Sequence, residues 1–282
     1  MRLLLPLALL LAGCAEEAAT PSQEQGPVRR VVSLLPAFTE VVVGLGAADR
    51  LVGCTPHCRP GCDVAVVGWQ GAGAAEEILR RDPDLVLRQR TRAADDPVLT
   101  LLERAGVRVL AIPSETIADA RSAIVEIGDA LSLSERAGEF LADFDRRLEQ
   151  ARAGARGKSA PKVLFVFGRD PGAVANIHAA GPGTFLDEMI RFAGGRNALA
   201  DLDSPYPAIS LDTFVRVSPD VIIDNLPPEE GEAFRDAWSR FAELVPAVRD
   251  GRIHAVRDPA LLIPGPRLPE AVRRLVGMIH GE

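Results

Sequence analysis

One pattern occurs twice in this chain, once on each side of a single long helix. The first copy is Glu76–Leu87, EEILRRDPDLVL, and the second is Leu211–Ile223, LDTFVRVSPDVII. Each reads as a short helix, a Pro-Asp turn and an apolar, β-branched strand. With Pro83 set against Pro219, Glu76 and Asp212 each lie seven residues upstream of their proline. Trp69 lies fourteen residues before Pro83, and Tyr206 lies thirteen before Pro219. Downstream, Leu101–Ile112 answers Phe241–Val256, again a helix, a turn and a strand. Two copies of a unit this long mean a duplicated supersecondary unit, because a solenoid needs at least three short repeats. Between the copies, Ser132–Ala153 carries apolar residues at Ala137, Phe140, Leu141, Phe144, Leu148 and Ala151, a helical stripe. Ser132 with Glu135 has the form of a capping box, and Gly154, Gly157 and Pro161 end the helix.

Strands alternating with helices predict parallel sheets covered on both faces. The apolar runs at Leu85–Leu87 and Val107–Ile112 do not alternate with polar residues, as burial on both faces requires. The expected fold class is α/β: two Rossmann-like lobes with parallel sheets, joined by one long rigid helix, with a cleft between them. The lobes are expected at 28–118 and 158–282, with linking helices at 119–157. In the first lobe Thr39 is placed to cap a helix over Glu40–Leu45.

The N-terminus stands apart from this fold. Arg2 precedes the apolar run Leu3–Ala12, which is too short to span a membrane. Leu11-Ala12-Gly13-Cys14 resembles the lipobox of bacterial lipoproteins. That resemblance implies a signal peptide over 1–13, a lipid on Cys14, a flexible tether over 14–27 and a place outside the cytoplasmic membrane, in the periplasm or at the cell surface. A formal net charge of −7 argues against a nucleic-acid partner.

The candidate chemistry gathers in loops. Aromatic residues make up 5% of the chain, with two Trp and one Tyr. Trp69 and Tyr206 stand at matched loop positions, so one aromatic face per lobe can close on a large planar ligand. Arg169 and Arg267 follow Gly- or Pro-rich turns at expected strand ends, where open α/β sheets bind ligands. Each is either a contact for a carboxylate, amide or phosphate group or a solvated surface arginine. The loop Cys54–Cys62 holds His57 and Cys58. It reads either as one disulfide plus a remaining thiol, with His57 lining the cleft, or as weak metal ligands in His57 and Cys58. The cysteine spacing matches no standard zinc pattern. An extracytoplasmic metalloenzyme or redox protein built on this loop lacks a nucleophile–base pair, a two-His motif and a dinucleotide fingerprint.

Five stretches, in order, carry a family resemblance: RVVSLLPAFTEVVVGLGAADRLVG, VGWQG with its following acid, LRRDPDLVL, AGPGTFLDEMIRFAGGRNALA and PGPRL. The chain resembles the substrate-binding proteins of bacterial ABC importers, in the class whose lobes are joined by one rigid helix. Among these it is most similar to cobalamin binders, favoured by Trp69-Gln70-Gly71 and Tyr206-Pro207, and then to haem and siderophore binders. The resemblance covers about residues 28–280. It implies a monomer with no catalytic activity that carries cobalamin or a related corrinoid, or alternatively haem or a ferric siderophore, to membrane permease subunits. It places Trp69 and Tyr206 on the ligand and Glu76 and Asp212 on the permease, with Glu77 as an alternative to Glu76. A family member usually carries an aromatic residue near His57, and this chain has none.

Overall fold

The computed structural model describes residues 26–58, 64–68, 72–90, 96–225 and 233–281. Cys14, Cys62, Trp69, the expected signal peptide and most of the expected tether lie outside the described residues. In chain order the first lobe contains β1 (Val31–Ser33), α1 (Pro36–Gly44), β2 (Leu51–Cys54), β3 (Ala65–Val66), α2 (Ala72–Leu79), β4 (Leu85–Gln89), α3 (Pro97–Arg104) and β5 (Arg108–Ile112). Two helices follow, α4 (Ile117–Ala130) and α5 (Ser134–Ala153). The second lobe runs β6 (Lys162–Gly168), β7 (Ile177–Ala179), α6 (Phe185–Phe192), β8 (Arg196–Asn197), β9 (Ala208–Ile209), α7 (Leu211–Val217), β10 (Val221–Asn225), α8 (Ala233–Ser239), α9 (Pro246–Arg249), β11 (Ile253–Val256) and α10 (Leu268–His280).

The first sheet has the order β3-β2-β1-β4-β5 and is parallel throughout. The second has the order β11-β10-β6-β7-β9, with β8 on β6. It departs from a wholly parallel arrangement at β7, which runs antiparallel to β6 and β9. In the strands β1, β4, β6 and β10 the residues Val31, Val32, Leu85, Val86, Leu87, Val163, Leu164, Phe165, Val166, Val221, Ile222 and Ile223 have almost no exposed surface. Helices cover both faces of each sheet, so these side chains are buried whichever way they point.

The duplication is visible in the hydrogen bonds. Asp84 and Asp220, the acids of the two Pro-Asp pairs, each use their side chain to accept from the start of the central strand. Asp84 takes the N–H of Arg29 and of Arg30, both at 2.8 Å, and Asp220 takes that of Lys162 at 2.7 Å. The residue before each proline is left-handed, Asp82 at φ 47° and Ser218 at φ 48°. Thus β1, β4 and β5 correspond to β6, β10 and β11.

The link between the lobes is packed rather than hinged. Buried Ala137, Phe144, Leu148 and Ala151 form the inner stripe of α5, with Phe140 and Leu141 partly buried beside them. The helix packs against α4 on one side and α10 on the other. Two glycines permit the close approach. A Cβ on Gly128 of α4 would come within 2.3 Å of the Ala137 Cβ, and one on Gly44 within 2.5 Å of the Phe140 ring. The expected capping box at Ser132 is absent. Ser132 takes φ 58° to close α4, so α5 begins two residues later without a side-chain cap. The capping box of this region belongs to α4, where Thr116 and Asp119 cap each other's backbone. Likewise α1 starts at Pro36, at the first turn that proline favours, and Thr39 lies buried inside it.

Candidate functional site

In a parallel sheet all strand C-termini lie at one edge, and the loops there form the natural binding edge. In the first lobe that edge brings together His57 and Cys58 after β2, the chain after β3, Arg90 after β4 and Glu115 after β5. His57 is exposed. The half-buried Cys58 thiol lies 3.1 Å from the Thr39 hydroxyl and 3.4 Å from that of Thr55. No disulfide joins Cys54 to Cys58, and no group of three or more His, Cys, Asp or Glu residues is placed to hold a metal among the described residues.

In the second lobe the register places His178 opposite Gly168 and Ala208. Its side chain points away from Ile177 and Ala179, which are buried against Val166 and Phe214. The exposed imidazole therefore meets Phe167, with ring centroids 6.2 Å apart, and Tyr206 packs edge-on against the same ring at 5.8 Å. Sequence reasoning gave His178 no role. Only the antiparallel turn of β7 brings it to these rings.

Tyr206 is 42% exposed, and its hydroxyl reaches across to Glu115 of the first lobe at 3.4 Å. Desolvation, and then the Glu115 carboxylate, push its pKa up to about 12. Trp69, its sequence counterpart, lies outside the described residues. The chain just before it is anchored, because Gly68 N–H donates to Glu77 Oε2 at 2.8 Å.

Neither arginine occupies an open surface. Arg169 has no exposed side-chain area and forms an ion pair at 2.7 Å with Asp224, which is equally buried. Trp238 Nε1 donates to the same carboxylate at 3.0 Å, and the Arg169 guanidinium also holds the carbonyls of Asp170 and Ala173. The solvated alternative for Arg169 is thereby corrected, and in this conformation its guanidinium presents no surface to a ligand. Arg267 bridges the lobes: its Nη2 lies 2.6 Å from Glu40 Oε1 on α1, with the two side chains 19% and 13% exposed. The Pro264-Gly265-Pro266 turn before it rests on Ala37, where a Cβ on Gly265 would come within 3.2 Å.

Glu76 is exposed, but it stands in the second turn of α2 rather than at its start, because the helix begins at Ala72. A helix dipole favours an acid in the first turn, and of the two only Asp212 has that place, in the first turn of α7 and also exposed. Glu77 is occupied with Gly68, which leaves Glu76 as the freer carboxylate.

Two outcomes check these assignments. Asp224→Ala leaves a buried guanidinium without its partner and should lower stability by about 3–5 kcal/mol in denaturant unfolding. A loss below 1 kcal/mol would show that the pair does not hold the core. Tyr206 is the only tyrosine of the chain, so phenolate absorbance reports on it alone. Its folded pKa is raised, so the stability linked to it is present below about pH 10 and is lost as pH climbs towards 12. The titration midpoint should lie near 12 and fall in Glu115→Gln; a midpoint at 10 in the folded protein would contradict the contact.

Comparison with known proteins agrees with this architecture. Residues 31–259 match the family model described as periplasmic binding protein. An uncharacterized ABC transporter substrate-binding lipoprotein of Bacillus subtilis, YvrC, is 27% identical, covering 98% of this chain and 95% of its own. A cobalamin-binding protein of Halobacterium salinarum is 28% identical over 89% of this chain and 69% of its own. The crystal structure of a periplasmic heme binding protein from Pseudomonas aeruginosa superposes with a TM-score of 0.76 at 29% identity, covering 90% of this chain and 94% of that one. With the matched span running from β1 to beyond β11, the chain belongs to the periplasmic binding protein family.

Proposed function

We propose that this protein captures a corrinoid, cobalamin or a close relative, outside the cytoplasmic membrane and delivers it to the permease of an ABC importer. The observation that carries this reading is the aromatic face of Phe167, His178 and Tyr206, which meets the first lobe at Glu115. A planar macrocycle slid between the lobes would lie against that face, with Trp69 closing on it from the other side. The cobalamin-binding relative supports the choice of ligand. Arg169 and Arg267 serve as scaffolding in this reading, and His57 lines the opposite wall. The protein works as a monomer, attached to the membrane through a lipid on Cys14. A ferric siderophore is a further alternative ligand within the same class. Haem is the second reading, favoured by the exposed imidazole of His178 beside Phe167, because neutral imidazole is a good iron ligand.

Calorimetric titration with cobalamin, cobinamide, haem and a ferric siderophore separates these readings. The corrinoids should bind most tightly. Tyr206→Ala and Trp69→Ala should each weaken them by roughly 0.5–1.5 kcal/mol beyond the lost area, with the fold intact. Haem binding tighter than either corrinoid would replace the first reading with the second.

Delivery needs a surface, and Glu76 and Asp212 supply one acid per lobe at matched places in the duplicated unit. Such rim charges set orientation and on-rate and weaken with salt. The double variant Glu76→Arg, Asp212→Arg should abolish uptake in cells while leaving the affinity of the isolated protein within about twofold, well inside the tenfold that 1.4 kcal/mol represents. Normal uptake by that variant would remove the docking assignment, and lost ligand affinity would move the acids into the pocket.

A further inference from the structure

The Glu115 side chain, from the first lobe, touches the aromatic face of the second at Tyr206. It sits in the short connection between β5 and α4 and is exposed. Its position is fixed from several sides. Its backbone N–H donates to Asp119 Oδ2 at 2.9 Å, its Oε1 accepts from Gln89 Nε2 at 2.9 Å, and its Oε2 accepts from Tyr206 at 3.4 Å. The last of these is long for an O–H···O bond, so it yields readily to a better donor. A carboxylate has about four acceptor sites, and these contacts use two.

The three arginines described above have partners other than Glu115. Arg169 is neutralised by Asp224 and Arg267 by Glu40. Arg90 spends its Nε and Nη2 on the Ala111 carbonyl, at 3.2 and 3.0 Å. A second carboxylate, Glu188 of α6, faces the same junction and accepts the Ile117 N–H at 2.6 Å. None of the ion pairs between described residues involves Glu115. A ligand edge arriving at Tyr206 therefore meets an acceptor that carries negative charge.

We infer that Glu115 is a specificity residue: it accepts hydrogen bonds from neutral amide groups on the macrocycle edge and turns away edges that carry carboxylates. An amide N–H₂ can replace the Tyr206 hydroxyl as donor. A carboxylate has no proton to offer at neutral pH, and like charges brought together disfavour the wrong partner. This inference rests on the corrinoid reading and adds the chemistry of the ligand's periphery to it.

Two soluble probes share one corrin ring and one cobalt and differ at the edge. Dicyanocobinamide carries amides, and dicyanocobyrinic acid carries carboxylates. The full-length protein should bind the amide form at least about tenfold more tightly, a difference of about 1.4 kcal/mol. Glu115→Gln should narrow that ratio, and Glu115→Lys should erase or invert it, with circular dichroism and melting temperature confirming a folded protein. Ordinary cobinamide binding with an unchanged ratio in Glu115→Lys overturns the role of Glu115 and leaves corrinoid capture standing. Binding of neither corrinoid by the wild type overturns both.

Discussion

The architecture depends on how closely α5 can approach α4 and α1. Hydrogen atoms at Gly128 and Gly44 let the backbone of one helix and the Phe140 ring occupy space that a methyl group would take. Interiors are packed at crystal density, so a shift of α5 would be transmitted to every element that touches it. Those elements include α10, which covers the second sheet and is pinned to α5 through Arg147 and Glu270. One helix thereby sets the position of both sheets, and the width of the cleft follows from helix packing rather than from loop length.

Charge is used in two distinct ways. Inside the second lobe, Arg169, Asp224 and Trp238 tie β10 and α8 to the loop after β6, where desolvation would be costly without full pairing. At the lobe junction, Arg267 and Glu40 are largely shielded and join the C-terminal helix to α1. The carboxylate left facing the aromatic rings is Glu115. The electrostatic character of the cleft is therefore decided as much by which arginines are withdrawn as by which acids remain.

The duplicated unit was legible because its signals are local. Pro-Asp, the apolar run after it and the helix before it recur at fixed spacing, and the structure repeats their hydrogen bonds as well. The stripe of α5 was legible for the same reason, since helical periodicity needs no knowledge of partners. What was not legible depended on partners distant in sequence. The carboxylates that pair with Arg169 and Arg267 lie 55 and 227 positions away. His178 joins the aromatic face only because β7 reverses direction at the edge of its sheet. Ser132 looked like a cap because Glu135 follows at capping distance, yet the end of α4 claimed it first. The start of α2 lies four residues earlier than expected, at Ala72, which moved Glu76 from the first turn to the second.

One hydrophobic cluster runs without a break from Val31 and Phe38 in the first lobe, through Ile124, Phe144 and Leu148 in the linking helices, to Phe165, Met189 and Leu275 in the second. The two lobes share a duplicated core of three strands and differ at β7 and β9, which run antiparallel to each other, yet one hydrophobic cluster joins them. Cutting the chain at the linking helices would expose, in each half, the face that it buries in this cluster. The duplication that built the molecule has thus been fused into a single cooperative body, in which the opening of one lobe exposes the interior of the other.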